Sequence, residues 1–153
     1  MPVVSQILVA ESPTDAMTSR SEVHAVPGRG IEGDRYFVGS GTFSRQPQKP
    51  DYEITFVEKE QIEAFARESG LPMTALHARR NIVTEGVDLN ALVGREFHVG
   101  DVRIRGIRLC EPCAYLAKIS FPETLKGLVH KGGLRAQILS EGDIRVGDPV
   151  RIE

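Results

Sequence analysis

The chain has 153 residues, 41% of them apolar and 26% charged, with 19 Lys/Arg against 21 Asp/Glu for a net charge of −2. That size fits one domain able to bury about 70% of its unfolded surface, and the ordinary composition excludes long disorder. The near balance of charge argues against bulk attraction to nucleic acid, and no apolar run approaches the roughly 18 residues of a membrane-spanning helix.

The opening MPVVSQILVAESP lacks the charged start and the length of a secretory leader and reads as a first strand over Val3–Val9. Val23–Val26 is a second β-branched run, followed by the turn Gly30-Ile31-Glu32-Gly33-Asp34-Arg35. Phe37–Pro50, rich in Gly, Ser and Pro, predicts a long surface loop or a lid. Glu53–Val57 alternates as a strand. Glu58–Ser69 then places Ile62, Phe65 and Ala66 on one face, with acids at its start and Gly70 after it, which predicts a helix. Asn81–Thr84 is a further short strand.

Phe97 and Val99 precede Gly100-Asp101, and Val102, Ile104, Ile107 and Leu109 follow, with Arg103 and Arg105 on the other face; this predicts a hairpin. A short helix is expected at Pro122–Lys131, and strands at 134–140 and 149–152. Gly-Asp recurs at 33–34, 100–101, 142–143 and 147–148, and four tight turns between short strands predict a mainly β barrel or sandwich with few helices. No repeat array and no second domain are evident, so residues 1–153 are read as one domain.

Both cysteines of the chain stand in Cys110-Glu111-Pro112-Cys113, straight after an apolar strand. A thiolate is nucleophilic, redox-active and a soft ligand, so the pair admits three chemistries: a metal or metal-cofactor ligand, a reversible disulfide, or a sulfur relay. Zinc would require two more ligands, and His24, His77, His98 and His130 are scattered. A thioredoxin-like pair would open a long helix, whereas these surroundings are β-rich. Two buried packing cysteines are the plain alternative. With no export signal, the pair predicts a reducing, cytoplasmic setting. Residues 101–153 carry 9 Lys/Arg and 7 Asp/Glu, so the cysteines lie in the more basic part of the chain.

Three further motifs accompany them. Arg35 in the first turn and Arg80 in Ala78-Arg79-Arg80-Asn81-Ile82-Val83 are either solvated surface charges or grips for a phosphate, since Arg donates two parallel hydrogen bonds to such a group. Asn81 would fix a loop or the edge of a heterocycle. Lys131-Gly132-Gly133-Leu134-Arg135 is either a helix end or a place where backbone N–H groups approach a ligand; the phosphate-cradling G-x-x-x-x-G-K-[ST] spacing is absent.

Taken in order, G-I-E-G-D-R, R-R-N-I-V, G-D-V-x-I-x-G-x-x-L-C-E-P-C and G-G-L-R-A-x-I-L-x-x-G-D-I-x-V-G-D-x-V resemble the MOSC domain, the C-terminal domain of molybdenum cofactor sulfurases, in its small stand-alone bacterial form. The resemblance covers about residues 20–153. It implies a MOSC-type β-barrel, similar to the small barrel of pyruvate kinase, with a few short helices. It implies binding of the molybdenum cofactor, with Cys113 matching the molybdenum ligand of the amidoxime-reducing relatives and Cys110 as its catalytic neighbour. Arg35, Arg80 and Arg135 become candidates for the cofactor's phosphate, and Asp34 and Asn81 for pterin or scaffold contacts. The implied activity is reduction of a small N-hydroxylated substrate, with electrons from an external flavin or iron–sulfur protein. The alternative is a persulfide carrier served by a cysteine desulfurase; a thiol–disulfide or zinc module remains a third. The chain lacks the extra N-terminal barrel of the amidoxime reductases, so a homodimer is one way to complete the site. It also lacks the aminotransferase-like domain of the sulfurases, so the pyridoxal phosphate attached to the family's name is not expected here.

Overall fold

The computed structural model describes residues 2–10, 16–34, 53–110 and 131–152. Among these residues, eleven strands, β1 Val3–Val9, β2 Thr18–Arg20, β3 Glu22–Val26, β4 Gly30–Ile31, β5 Ile54–Glu58, β6 Ile82–Glu85, β7 Glu96–Val99, β8 Val102–Leu109, β9 Leu134–Ile138, β10 Gly142–Arg145 and β11 Val150–Ile152, are accompanied by helices α1 Lys59–Ser69 and α2 Ala75–Ala78 and a 3-10 turn at Leu89–Leu92. Eight strands form one sheet in the order β11-β7-β8-β9-β5-β6-β1-β2, and three form a smaller sheet in the order β10-β3-β4.

The large sheet curls back on itself. Val4 N–H donates to the Asp148 carbonyl, Gly147 N–H to the Val4 carbonyl and Val150 N–H to the Pro2 carbonyl, so the approach to β11 is stitched to the start of β1. Alternation of side chains decides which residues fill the interior. Ile7, Ile54, Phe56, Ile82, Phe97, Ile104, Leu134 and Ala136 meet in one core, with the Phe56 and Phe97 rings edge-to-face at 5.6 Å. Closure removes most exposed strand edges, which is how small β proteins avoid sticking to one another.

β5 is buried on both faces, because its outward Val57 meets a second core made with Leu8, Val83, Ile62 and Phe65. That second core seats α1, whose buried face is Ile62 and Phe65 and whose end is fixed by Gly70 at φ 73°, as the sequence predicts. β5 and β6 run parallel, so α1 and α2 form the crossover of a βαβ unit embedded in an otherwise antiparallel wall. The predicted hairpin is present: β7 and β8 pair through Val99 and Val102 around Gly100-Asp101.

One predicted turn is not a turn. Gly142-Asp143 lies inside β10, paired with Ala25 and His24 of β3. The small sheet supplies ladder partners that the dipeptide alone could not announce. The Phe37–Pro50 loop and nearly all of the Pro122–Lys131 helix fall outside the described residues. No described helix is long and apolar enough to cross a membrane.

Candidate functional site

The described candidate residues gather on one region of the wall. Asn81, immediately before β6, is 2% exposed. Its Oδ1 accepts from Thr55 N–H (3.2 Å) and Thr55 Oγ1 (3.1 Å), its Nδ2 donates to the Leu8 carbonyl (3.2 Å), and its own N–H donates to Thr55 Oγ1 (3.0 Å). Leu8 N–H returns a bond to the Asn81 carbonyl at 2.7 Å. Asn81 therefore ties β1, β5 and β6 together, which is the scaffold side of its expected role.

Thr55 stands opposite Arg135 across β5 and β9, and Arg135 stands opposite Arg108 across β9 and β8. Asn81, Thr55, Arg135 and Arg108 thus form a polar row over four neighbouring strands. Arg135 is buried, 8% exposed, on the face opposite the core residues Leu134 and Ala136. Arg108 was not among the residues picked from sequence. Strict alternation from Ile104 would turn it inward; a register shift between Gly106 and Arg108 turns it out beside Arg135. The signal was present as the change of apolar spacing from Val102/Ile104 to Ile107/Leu109.

Arg80 does not lie on a solvated edge. It is 8% exposed, and Nε donates to the Gly132 carbonyl (2.9 Å), Nη1 to the Ala78 carbonyl (3.2 Å) and Nη2 to the Cys110 carbonyl (3.1 Å). Three of its five N–H donors hold the protein's own backbone. Arg79 sets up this inward turn by adopting φ 57°, the left-handed region, which is uncommon for a residue with a side chain. Arg80 and the bond from Cys110 N–H to the Gly133 carbonyl (2.7 Å) fix where β8 ends and the C-x-x-C segment departs.

Cys110 carries a free thiol and is 1% exposed. Its thiol is shielded from solvent in this structure. Asp34, 1% exposed, accepts from Ala10 N–H at 3.1 Å, one strand away from Asn81 at the end of β1. Cys113 and Arg35 lie outside the described residues. Gly133 sits at φ 108°, and its absent side chain admits the Phe56 carbonyl, so its close approach is to a neighbouring strand.

Elsewhere, His24 is held by Asp143 through Nδ1 and by Glu141 through Nε2, both at 2.7 Å. These hydrogen bonds lift its pKa to about 9, so at neutral pH it is an imidazolium clamping β3 to β10. Glu53 is buried, which raises its pKa, although Gly28 N–H and Ile138 N–H both donate to its Oε1. No group of three His, Cys, Asp or Glu suited to a metal ion occurs among the described residues, so the second pair of ligands that a zinc site needs is not found there. A shallow cavity of about 320 Å³ is lined by Asp101, Asp143, Arg145 and Arg151 around Gly100. Gly100 precedes β8 and Cys110 follows it, roughly 30 Å apart along the strand, so that cavity is a different place.

Comparison with known proteins agrees with this architecture. The family model described as MOSC domain matches residues 28–151. The chain is similar to the YuaD protein from Bacillus subtilis, with TM-score 0.79 and 17% identity over 98% of this chain and 94% of that one. It is similar to YiiM from Geobacillus stearothermophilus, with TM-score 0.77 and 18% identity over 100% of this chain and 75% of that one. YiiM from Escherichia coli gives TM-score 0.71 and 17% identity over 100% and 70%. A search of curated proteins finds no match. At such identities the structural likeness speaks for the fold, and the matched motif region speaks for the family: this chain belongs to the MOSC domain family.

Proposed function

We propose that this protein binds the molybdenum cofactor and reduces small N-hydroxylated compounds with electrons from an external donor. The observation that carries the reading is the register pair Arg135 and Arg108 near the end of β8, which Cys110 follows. Arg135 and Arg108 are register partners on neighbouring strands, so one anion is within reach of both. An anion lodged against both gains charge-assisted hydrogen bonds. A phosphate meets this description, and a soft metal centre held by a thiolate suits the cysteines that follow.

When bound, the cofactor supplies a molybdenum centre able to exchange two electrons with a substrate. The chain's own residues do the rest. Arg135 and Arg108 would hold the phosphate, and Cys113 would be the metal's protein ligand. Arg80 anchors the segment carrying it by gripping the Cys110 and Gly132 carbonyls. Asn81 and Thr55 lock three strands so that the row keeps its spacing. Cys110, buried, keeps its thiol away from exchange. A setting in the cytoplasm, where such donors are found, accompanies this reading.

The test is turnover. Protein from a molybdate-replete host, given reduced viologen and an N-hydroxylated amidine or purine, is expected to form the dehydroxylated product, and Cys113→Ala is expected to lose the activity. A persulfide on Cys113 by mass spectrometry, in protein that consumes no substrate, would replace this reading with the sulfur-carrier one.

A further inference from the structure

Two buried carboxylates fasten the segment 28–34, which carries β4, at its two ends. At the far end Asp34 accepts from Ala10 N–H at 3.1 Å. At the near end Gly28 N–H donates to Glu53 Oε1 at 3.1 Å, and the same oxygen accepts from Ile138 N–H of β9, also at 3.1 Å. One oxygen atom therefore joins the β3–β4 turn of the small sheet to a strand inside the large one. The backbone follows it. Gly30, at φ 114°, lays its Cα against the Glu53 carbonyl, and a Cβ there would stand 2.9 Å from that oxygen. Glu53 is 7% exposed, and its other carboxyl oxygen, Oε2, receives no hydrogen bond from the described residues.

The proposed reduction makes no use of this acid, yet its two protonation states differ in what they leave buried. A neutral carboxyl leaves one hydroxyl without a partner; a carboxylate leaves a charge with donors on one oxygen only, which costs far more. When the turn opens, water reaches the carboxylate and that cost vanishes. The closed seam thus holds the proton more tightly than the open one, and rising pH favours opening. The charged groups on the elements around it are His24, Arg29 and Glu32 of the small sheet and Arg135 of β9. None of them sets the balance: burial raises the Glu53 pKa, and the Ile138 and Gly28 N–H groups pull it down less strongly.

We infer that Glu53 is a proton-operated latch on the seam between the two sheets. Protonated, it clamps the β3–β4 turn to β9; ionised, it lets the Gly28 end open. Ile31, fully buried in the core, keeps β4 in place, so opening is confined to that end. Thr55, two residues beyond the latch, stands in the polar row of the candidate site, so the seam opens beside that row. The inference does not depend on which cofactor the row holds.

Amide hydrogen exchange tests it, read by NMR on the full chain from about pH 5 to about pH 8 and corrected for the intrinsic exchange rate at each pH. In wild type the protection of Gly28 and Ile138 should fall by at least about threefold across that range, while Leu8, whose N–H donates to the Asn81 carbonyl, stays level. Glu53→Gln keeps an acceptor for both N–H groups and cannot ionise, so its Gly28 and Ile138 protection should stay level. Level protection in wild type, an equal fall in Glu53→Gln, or a Leu8 fall in step with Gly28 overturns the inference. The wild-type profile is decisive by itself if the variant folds poorly.

Discussion

Gly133→Ala should be among the most damaging single-methyl additions to this fold. A Cβ built on Gly133 overlaps the Phe56 carbonyl oxygen and stands 2.9 Å from the Phe56 carbonyl carbon and 3.1 Å from Val57 Cα. These are backbone atoms of a central strand, so no flexible side chain can swing aside. Relief requires β5 and β9 to part beside the Phe56–Leu134 pair, in the middle of the core. Overpacking of this kind costs about 1–3 kcal/mol, and holding a side chain at φ 108° adds about 1–3 kcal/mol. The sum, about 2–6 kcal/mol, is a large share of the 5–15 kcal/mol that usually holds a domain together. At about 2–4 °C per kcal/mol, Tm should fall by roughly 5–20 °C. Gly70→Ala is the control, since Gly70 is also left-handed at φ 73° but faces open space; it should cost only about 1 kcal/mol. Urea unfolding of the two variants decides the matter. If Gly133→Ala lies within about 1 kcal/mol of Gly70→Ala, the close approach of β9 to Phe56 is not as described.

Other perturbations read other parts of the account. Arg80→Lys keeps the charge but cannot reach three carbonyls in one plane; it should cost about 2–3 kcal/mol in urea unfolding and speed proteolysis between Cys110 and Lys131. Glu53→Gln keeps the acceptor for Gly28 and Ile138 and removes a desolvated carboxylate, so at neutral pH it should be neutral or stabilising, whereas Glu53→Ala strands two N–H groups and should cost about 2–4 kcal/mol. The His24 pKa is raised in the folded state, so its contribution to stability is full below about pH 6.5 and disappears as pH rises through about 9. Denaturant midpoints should fall across that window in wild type and stay flatter in His24→Gln, and NMR should report the His24 titration near 9.

Much of the fold was legible because local patterns and tertiary pairings agree. The β7–β8 hairpin keeps strict alternation on both sides of Gly100, and α1 ends where a glycine can turn left-handed. Where the two levels part, sequence reading fails for a physical reason. EITFV reads as half-exposed, yet the helix crossover buries both its faces and makes its pairing with β6 parallel. Arg108 is hidden by a bulge that no single residue marks. Arg80 and Asn81 stand out in sequence because polar groups before an apolar strand call for partners. A ligand and the protein's own backbone satisfy them equally well, and here the backbone takes most of their hydrogen bonds. Gly142-Asp143 is turn-like in isolation and becomes strand only because β3 lies beside it.

The central claim concerns what this scaffold holds. Molybdenum and pterin per chain, measured on protein purified from a molybdate-replete host, test it most directly. The account predicts substantial molybdenum with matching pterin in wild type and loss of the metal in Cys113→Ala. Arg135→Gln and Arg108→Gln, each removing a charged contact, should retain the pterin about ten- to a hundredfold more weakly. Wild-type protein devoid of both, or Cys113→Ala holding as much molybdenum as wild type, would contradict it.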